Sequence, residues 1–199
     1  MVAKVFDDIL LRGIRSGEAP GRTAASREWY RNQAAKIKKG RVSESQLTSD
    51  RNRRREEQAN GNMYFFGYDA KHKGKLPYYD RFPLIFPIGP AKGGFYGINF
   101  HYLPPKMRAQ LMDALYDTAN NDRLDTSTKL RISYDILKSA SKFRLFKPAI
   151  KHYLAQYVRT QFVYVEPSEW DIALFLPTAD FVGASKNKVY ADSRKIING

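Results

Sequence analysis

Aromatic side chains are concentrated in one stretch of the chain, residues 63–102, where twelve residues are Phe or Tyr. The same stretch holds five Lys or Arg and two acids. Aromatic residues favour strands, and so many rings in a short segment must mostly pack against one another. A ring left exposed beside a cation could instead stack on a nucleic-acid base. The stretch therefore predicts a small β core and leaves open which rings serve a ligand.

Three segments of this stretch predict strands, because each is aromatic or β-branched and is bounded by Gly, Pro, Asn or Asp. They are residues 63–68, 82–88 and 95–101. Pro83 and Pro87 each remove a backbone donor, which favours an edge strand or a strongly bent one. We predict a small curved antiparallel β unit, and an SH3-like barrel is one form that it can take.

Helical spacing of apolar residues is typical of the chain on both sides of this unit. On the N-terminal side it predicts a helix around residues 5–10 and a second from Ser26. On the C-terminal side Pro104 and the proline after it begin a helix, and two more are predicted over residues 127–139 and 148–161. The predicted fold class is α+β, with a C-terminal helical layer packed on the β unit.

The N-terminal third of the chain has the highest density of charge, and residues 40–62 contain almost no hydrophobic side chains. Such a segment cannot bury enough apolar surface to fold alone. We therefore predict a basic helical arm over residues 1–62 that orders on a partner. Residues 63–199 are predicted to form a single α+β body, with residues 63–103 as the β unit and residues 104–199 mainly helical.

The overall charge indicates the class of partner. The 199-residue chain has a net charge of +14, which favours a polyanion such as nucleic acid or an acidic protein surface. There is no cysteine, so disulfides and thiolate metal sites are excluded. The N-terminus has no apolar core of a signal peptide, and no run approaches the roughly 18 apolar residues of a membrane span. We expect a soluble protein made inside the cell, with no membrane partner and no small-molecule substrate.

Motifs for catalysis are missing from the sequence. The histidines are scattered and match no metal-binding spacing. The glycine-rich residues 89–97 lack the Lys-Ser/Thr pair that a phosphate-binding P-loop requires. We predict no enzyme activity, no metal and no cofactor. The alternative from this class is a metal-dependent nuclease that would use Asp69, Asp80 and His101.

Two basic clusters give the strongest functional signal. Four arginines lie within five positions of the arm, and three lysines alternate across the loop after the first predicted strand. Both clusters could neutralise phosphates, or could form solvated faces without a ligand. The candidate nucleic-acid-binding residues are Arg51, Arg53, Arg54, Arg55, Lys71, Lys73 and Lys75.

Four blocks in the C-terminal two-thirds of the chain have a distinctive sequence. They are LPYYDRFPLIFPI at residues 76–88, GFYGINFHYLPPKMR at 94–108, EWDIALFLPTADF at 169–181 and KVYADSRK at 188–195. These blocks resemble the DNA end-protector proteins in the virions of T-even-type tailed bacteriophages, which are myoviruses. The resemblance implies a late virion component, made in the host cytoplasm, that shields the end of the packaged double-stranded DNA from exonuclease without chemistry of its own.

The first 60 residues lie outside this resemblance, so DNA contacts proposed there rest on charge alone. The functional prediction is a non-enzymatic virion protein that binds or caps the packaged DNA end, or the head-tail junction, through basic surfaces. The alternative is a purely structural neck or baseplate subunit. Its arm would wrap neighbouring proteins of the neck, portal or baseplate without contacting DNA.

Overall fold

The computed structural model describes residues 3–20, 23–119, 138–139 and 142–199. Within these residues it contains a six-stranded antiparallel sheet, a two-stranded ribbon and several helices. The α+β class that the sequence predicted is confirmed. None of the described helices has the length and hydropathy needed to cross a lipid bilayer.

The described helices are α1 (Ala3–Arg15), α2 (Ala24–Ala35), α3 (Glu44–Ser49), α4 (Pro105–Ala119), α5 (Phe143–Phe146), α6 (Trp170–Phe175) and α7 (Lys186–Asn198). The described strands are β1 (Arg54–Arg55), β2 (Met63–Phe65), β3 (Tyr79–Asp80), β4 (Leu84–Ala91), β5 (Gly94–Asn99), β6 (Ile150–Leu154), β7 (Phe162–Val165) and β8 (Phe181–Val182). Short 3-10 turns connect several of these elements.

The sheet has the strand order β1-β7-β2-β4-β5-β6, and β3 pairs with β8 in the separate ribbon. Every neighbouring pair is antiparallel. Among the described strands β1 and β6 do not pair with each other, so the sheet is open. The SH3-like barrel that the sequence allowed is therefore not formed.

Strand β4 occupies an interior position of the sheet although it contains Pro87. Of the two forms that the prolines favoured, the structure has the bent strand and not the edge strand, and the interior position is possible because β2 is short. Strand β2 pairs with β4 only at Leu84 and Ile85, so Pro87 lies beyond its end and no ladder bond there needs the missing amide hydrogen. The pairing of β4 with β5 shifts register between Pro87 and Gly89, which bends the strand as the prolines indicated.

The helix predicted over residues 148–161 was wrong. In its place are β6 and a 3-10 turn over Ala155–Tyr157. The apolar Ile150 and Leu154 have helical spacing, but both belong to a strand that pairs with β5 along its whole length. Non-local pairing thus outweighs local periodicity, a known ambiguity of short apolar runs. The helix predicted over residues 127–139 lies outside the described residues apart from its last two positions.

One face of the sheet packs against the helices and forms the main core. Alternation along the strands places Met63 and Phe65 of β2 on this face and Tyr64 on the other. Side chains from the N-terminal segment, including Phe6, Tyr30 and Leu47, are buried in the same cluster. The division of the chain into an arm over residues 1–62 and a body stays a prediction, and in the structure these side chains of the arm pack on the rest of the chain.

The opposite face of the sheet carries a second, aromatic cluster. Its rings meet mainly edge to face; Phe66 and Tyr153, for example, have centroids 5.2 Å apart with planes at 81°. Tyr68, Phe95 and Phe162 are buried in the same group. Most rings of the aromatic stretch are therefore core residues, and only those at its margin can meet a ligand.

Candidate nucleic-acid interface

A cleft of about 790 Å³ opens at the margin of the aromatic cluster, beside β6. It is lined by parts of the loop that follows β2, by the turn between β4 and β5, and by β6 with the residue two positions beyond it. Asp80 of β3 and Tyr102, which ends the 3-10 turn after β5, complete the lining. Segments far apart in sequence therefore meet here, and we call this site the β6 cleft.

The lining of the β6 cleft is strongly basic. Among its described lining residues five are lysines or histidines, and one is an acid. The basic residues are Lys71, His72, Lys92, Lys151 and His152. No ion pair involves Lys71, Lys92 or Lys151 within the described part of the chain. Cations concentrated in a concave site raise the local concentration of anionic ligands.

The single lining acid, Asp80, is withdrawn from the surface. Its carboxylate accepts hydrogen bonds from the backbone amide of Phe82 at 3.1 Å and from the side-chain amide of Asn99 at 2.9 Å. It also lies 2.8 Å from Nδ1 of His101, and its side chain is 1% exposed. These donors satisfy its charge internally, so Asp80 does little to oppose an anion in the cleft.

His101 extends this network below the cleft. Burial lowers the pKa of His101, so the imidazole is neutral at pH 7. With Nδ1 donating to Asp80, Nε2 accepts from the hydroxyl of Thr178 at 3.1 Å. Thr178, His101 and Asp80 follow one another as hydroxyl, imidazole and carboxylate, which is the order of groups in a catalytic triad. All three groups are buried, however, so a substrate could not reach the hydroxyl from the surface. The network ties the β3-β8 ribbon to the sheet.

The residues of the nuclease alternative are not brought together as a metal site. Asp69 pairs with Lys73 at 3.0 Å and with Arg159 at 3.5 Å, whereas Asp80 and His101 face each other in the buried network. No group of three or more His, Asp or Glu suited to a metal ion occurs in the described ranges. Asp69 thus has partners of its own, and Asp80 and His101 are partners of each other.

Lys151 is the most unusual cation of the β6 cleft. It shares the aromatic face of the sheet with Tyr153, and its partner across β5 is Gly97, which has no side chain to crowd it. Its ammonium lies 3.8 Å from the centre of the Tyr102 ring. Burial lowers the pKa of Lys151 to about 8. The Lys151 ammonium is half-buried against a ring and has no carboxylate partner in the described part of the chain. An anionic ligand bound beside it would therefore stabilise its charged form.

An apolar margin adjoins these cations. Leu76 is 43% exposed, and it lies beside Pro77 and Tyr78 in the cleft lining. Tyr78 is half-buried, and its ring lies 6.0 Å from that of Tyr102. Its hydroxyl donates to Asp192 at 3.2 Å, which holds the ring in place. Tyr78 is thus a ring of the aromatic stretch with surface left for stacking.

The three loop lysines that the sequence predicted to bind nucleic acid have different surroundings in the structure. Lys71 lines the β6 cleft. Lys73 contacts both carboxylate oxygens of Asp69 at 3.0 Å. Lys75 is exposed in the same loop but does not line the cleft. One residue of this predicted cluster is therefore at the site.

The arginine cluster lies on the other edge of the sheet. Arg53 is an internal residue there, since its guanidinium donates to the carboxylate of Glu169 at 2.5 and 2.7 Å and also contacts Asp50 at 3.3 Å. The side chains of Arg53 and Glu169 are 13% and 3% exposed. Both carboxylates are therefore partners of Arg53 within the fold, and its contact with a phosphate stays a prediction.

Of the other three arginines, Arg51 and Arg55 are exposed, and Arg54 is half-buried like Arg53. Arg54 donates through Nε to the carbonyl of Thr48 at 2.7 Å, and Arg55 lies over the ring of Tyr164 at 5.2 Å. Arg51 is exposed at the start of a 3-10 turn. Because β1 and β6 are opposite edge strands, the predicted arginines and the β6 cleft are not brought together.

Lys92, Lys151 and Tyr78 are the members of the candidate site that sequence reasoning did not select. Lys92 follows Ala91 at the end of β4 and precedes two glycines, which the sequence indicated only as a turn. Lys151 fell within the helix wrongly predicted over residues 148–161. No local sequence pattern marks Lys92 and Lys151 as neighbours, because only the pairing of β5 with β6 brings these two lysines together.

Comparison with known proteins gives one family. A family model of the phage T4 terminal DNA protecting protein matches residues 10–198. No curated protein and no solved structure gives a match. The match includes the N-terminal segment, which the resemblance of the four sequence blocks did not cover. The chain therefore belongs to the family of the phage T4 terminal DNA protecting protein.

Proposed function

We propose that this protein caps the end of the packaged double-stranded DNA at the head-tail junction, without a catalytic step, and that it binds the end through the β6 cleft. The observation that carries the proposal is the basic lining of the cleft, in which the one described acid is already satisfied by internal donors. A folded body fixed over the terminus would block an exonuclease sterically.

Affinity in this proposal comes from phosphate neutralisation. Each lysine that contacts a phosphate releases condensed counterions, which is the main source of non-specific DNA affinity. Lys71, Lys92 and Lys151 have no carboxylate partner among the described residues, so their charge is available to a ligand. Lys73 is paired with Asp69, and Arg53 with Glu169, so neither belongs to the proposed contact.

The exposed Arg51, Arg55 and Lys75 lie outside the cleft, and we assign to them only a minor, non-specific contribution. The burial of Asp80 and His101 supports a structural role for the hydroxyl-imidazole-carboxylate network, in keeping with a non-enzymatic cap.

A structural subunit of the neck or baseplate is the second candidate. The observation in its favour is α1, on which Leu11 and Ile14 are 51% and 60% exposed. Large exposed apolar residues on one helix suit a protein neighbour. If the protein is a cap, α1 would contact a neighbouring protein while the cleft binds DNA. If it is a purely structural subunit, the contact through α1 would be made without any DNA binding.

Protection of linear duplex DNA from an exonuclease tests the proposal. The first variant combines Lys71→Ala, Lys92→Ala and Lys151→Met. The matched control combines Lys4→Ala, Arg51→Ala and Lys75→Ala, which removes the same charge from exposed positions outside the cleft. The wild type and the control should protect linear DNA, and the cleft variant should not. Equal binding of linear and covalently closed circular DNA, or loss of protection in the control alone, would contradict the proposal.

A further inference from the structure

The size of the β6 cleft restricts what can enter it. Its volume of about 790 Å³ falls within the roughly 300–1,000 Å³ of pockets that bury one small molecule. A cube of this volume has an edge of about 9 Å, whereas the major groove of a duplex alone is about 12 Å wide. Only a small part of a DNA end can therefore occupy the cleft, while the double helix remains outside.

The chemistry of the cleft has two parts that match the two parts of a nucleotide. Lys71, Lys92 and Lys151 provide cations for a phosphate, and Lys151 is the one fixed over an aromatic ring. Leu76 and Tyr78 provide an apolar margin beside them. Inside a duplex both faces of a base are covered by its neighbours, and at a blunt end only the outer face of the last base pair is free. In a cleft that does not admit a whole base pair, such a margin can therefore pack only against a base that has left its pair.

The apolar margin is held in a defined position. Tyr78 donates its hydroxyl to Asp192, whose carboxylate is also bound by Lys188 at 2.6 Å. Gly183 has φ +90°, and a Cβ there would lie 2.8 Å from the carbonyl oxygen of Pro77, so only glycine permits this close approach. A margin supported from behind loses little conformational freedom when a base packs on it.

We propose that the β6 cleft binds the terminal nucleotide of a DNA strand in unpaired form, with the successive phosphates of the strand end at Lys71, Lys92 and Lys151 and the terminal base against Tyr78 and Leu76. The inference rests on the proposed function and gives it a source of end selectivity. Taking a base out of the stack costs least where it is unpaired or already single-stranded, and a terminal base has only one stacking neighbour to lose, so the cost is lower at an end than in the interior.

Three DNA probes of equal length test the inference by fluorescence anisotropy. The first is a duplex with one unpaired terminal nucleotide on each strand, the second is fully paired and blunt, and the third is a covalently closed minicircle. Because stacking on an aromatic side chain contributes substantially to single-strand binding, the wild type should bind the unpaired end about tenfold more tightly than the blunt end. The minicircle should bind more weakly than either.

Matched substitutions identify the surface responsible. Leu76→Ser removes apolar margin from the cleft, and Leu11→Ser removes a similarly exposed leucine from α1. The first variant should show a smaller preference for unpaired over blunt ends than the wild type, because it loses the leucine but keeps the Tyr78 ring, and the second should keep the full preference. Because both leucines are exposed, neither change should prevent folding, and circular dichroism checks this.

The outcomes separate this inference from the proposed function. A wild type that prefers linear DNA to the minicircle, but binds unpaired and blunt ends equally, would overturn the inference and leave the cap intact. A preference for unpaired ends that is as large in Leu76→Ser as in the wild type would also overturn it. Equal binding of linear DNA and minicircle would overturn the cap itself.

Discussion

Salt dependence of DNA-end binding measures how many cations of the β6 cleft contact phosphate. Three lysines line the cleft without an acidic partner in the described chain. Each phosphate contact contributes about 0.9 to the slope of log Kobs against log salt concentration, so three contacts contribute about 2.7. Replacing Lys71 and Lys92 by Ala and Lys151 by Met should reduce the slope by about this amount. Between 50 and 200 mM salt, the wild type should lose about 40-fold more affinity than the variant.

The assay is a titration of labelled linear duplex followed by anisotropy at four or more salt concentrations. The matched control with Lys4→Ala, Arg51→Ala and Lys75→Ala has the same net charge as the cleft variant, so a general effect of charge would change both slopes equally. Equal slopes in these two variants would refute the reasoning, as would a cleft variant with the slope of the wild type.

Three further predictions concern stability and pH. Arg53→Ala should lower the free energy of unfolding by about 3–5 kcal/mol in urea, because it leaves the carboxylate of Glu169 buried and unpaired. Acidification from pH 7 to 5 should also destabilise the fold. The folded-state pKa of His101 is lowered, so the unfolded chain takes up the proton below about pH 6.5 and stability falls by up to about 1.4 kcal/mol per pH unit. DNA-end affinity should fall from pH 7 to 9 as Lys151, with its pKa of about 8, loses its charge.

Each of these predictions has a control. Arg51→Ala, at an exposed position of the same cluster, should change stability by less than about 0.5 kcal/mol. His101→Gln should reduce the loss of stability in acid relative to that variant's own stability at pH 7, because it removes the imidazole whose pKa is lowered. Lys151→Arg should remove the loss of DNA affinity between pH 7 and 9, because burial raises the pKa of Tyr102 and Tyr153, and these neighbours stay neutral in that range. A variant that keeps the full pH dependence would contradict the role of Lys151.

The strands of the aromatic stretch could be predicted because their signal is local. Residues 63–68 and 95–101 correspond to β2 and β5, and alternation along β2 places its rings on two faces. The residues of β6 have helical spacing, and what makes them a strand is β5, a segment about 50 residues away. Propensity contains no information about such a partner.

Dependence on distant segments of the chain also explains why most of the candidate site could not be predicted from the sequence. The arginine cluster was selected as a run of charge, but the partner of Arg53 is Glu169, 116 residues later in the chain. The burial of Lys151 against Tyr102 likewise depends on β6 lying beside β5. Charge in a sequence predicts a class of ligand, and tertiary structure decides which of the charges remain free to bind it.

Selectivity for an end cannot come from positive charge alone. Every phosphate along a duplex carries the same charge, so Arg51, Arg55 and Lys75 on open surface would bind the interior of DNA as well as its terminus. A cap needs a feature that the interior cannot satisfy. A cleft too small for a duplex, with cations inside it and an apolar margin, admits a nucleotide only where one can leave the stack. The excess charge then provides affinity, and the shape of the β6 cleft provides discrimination.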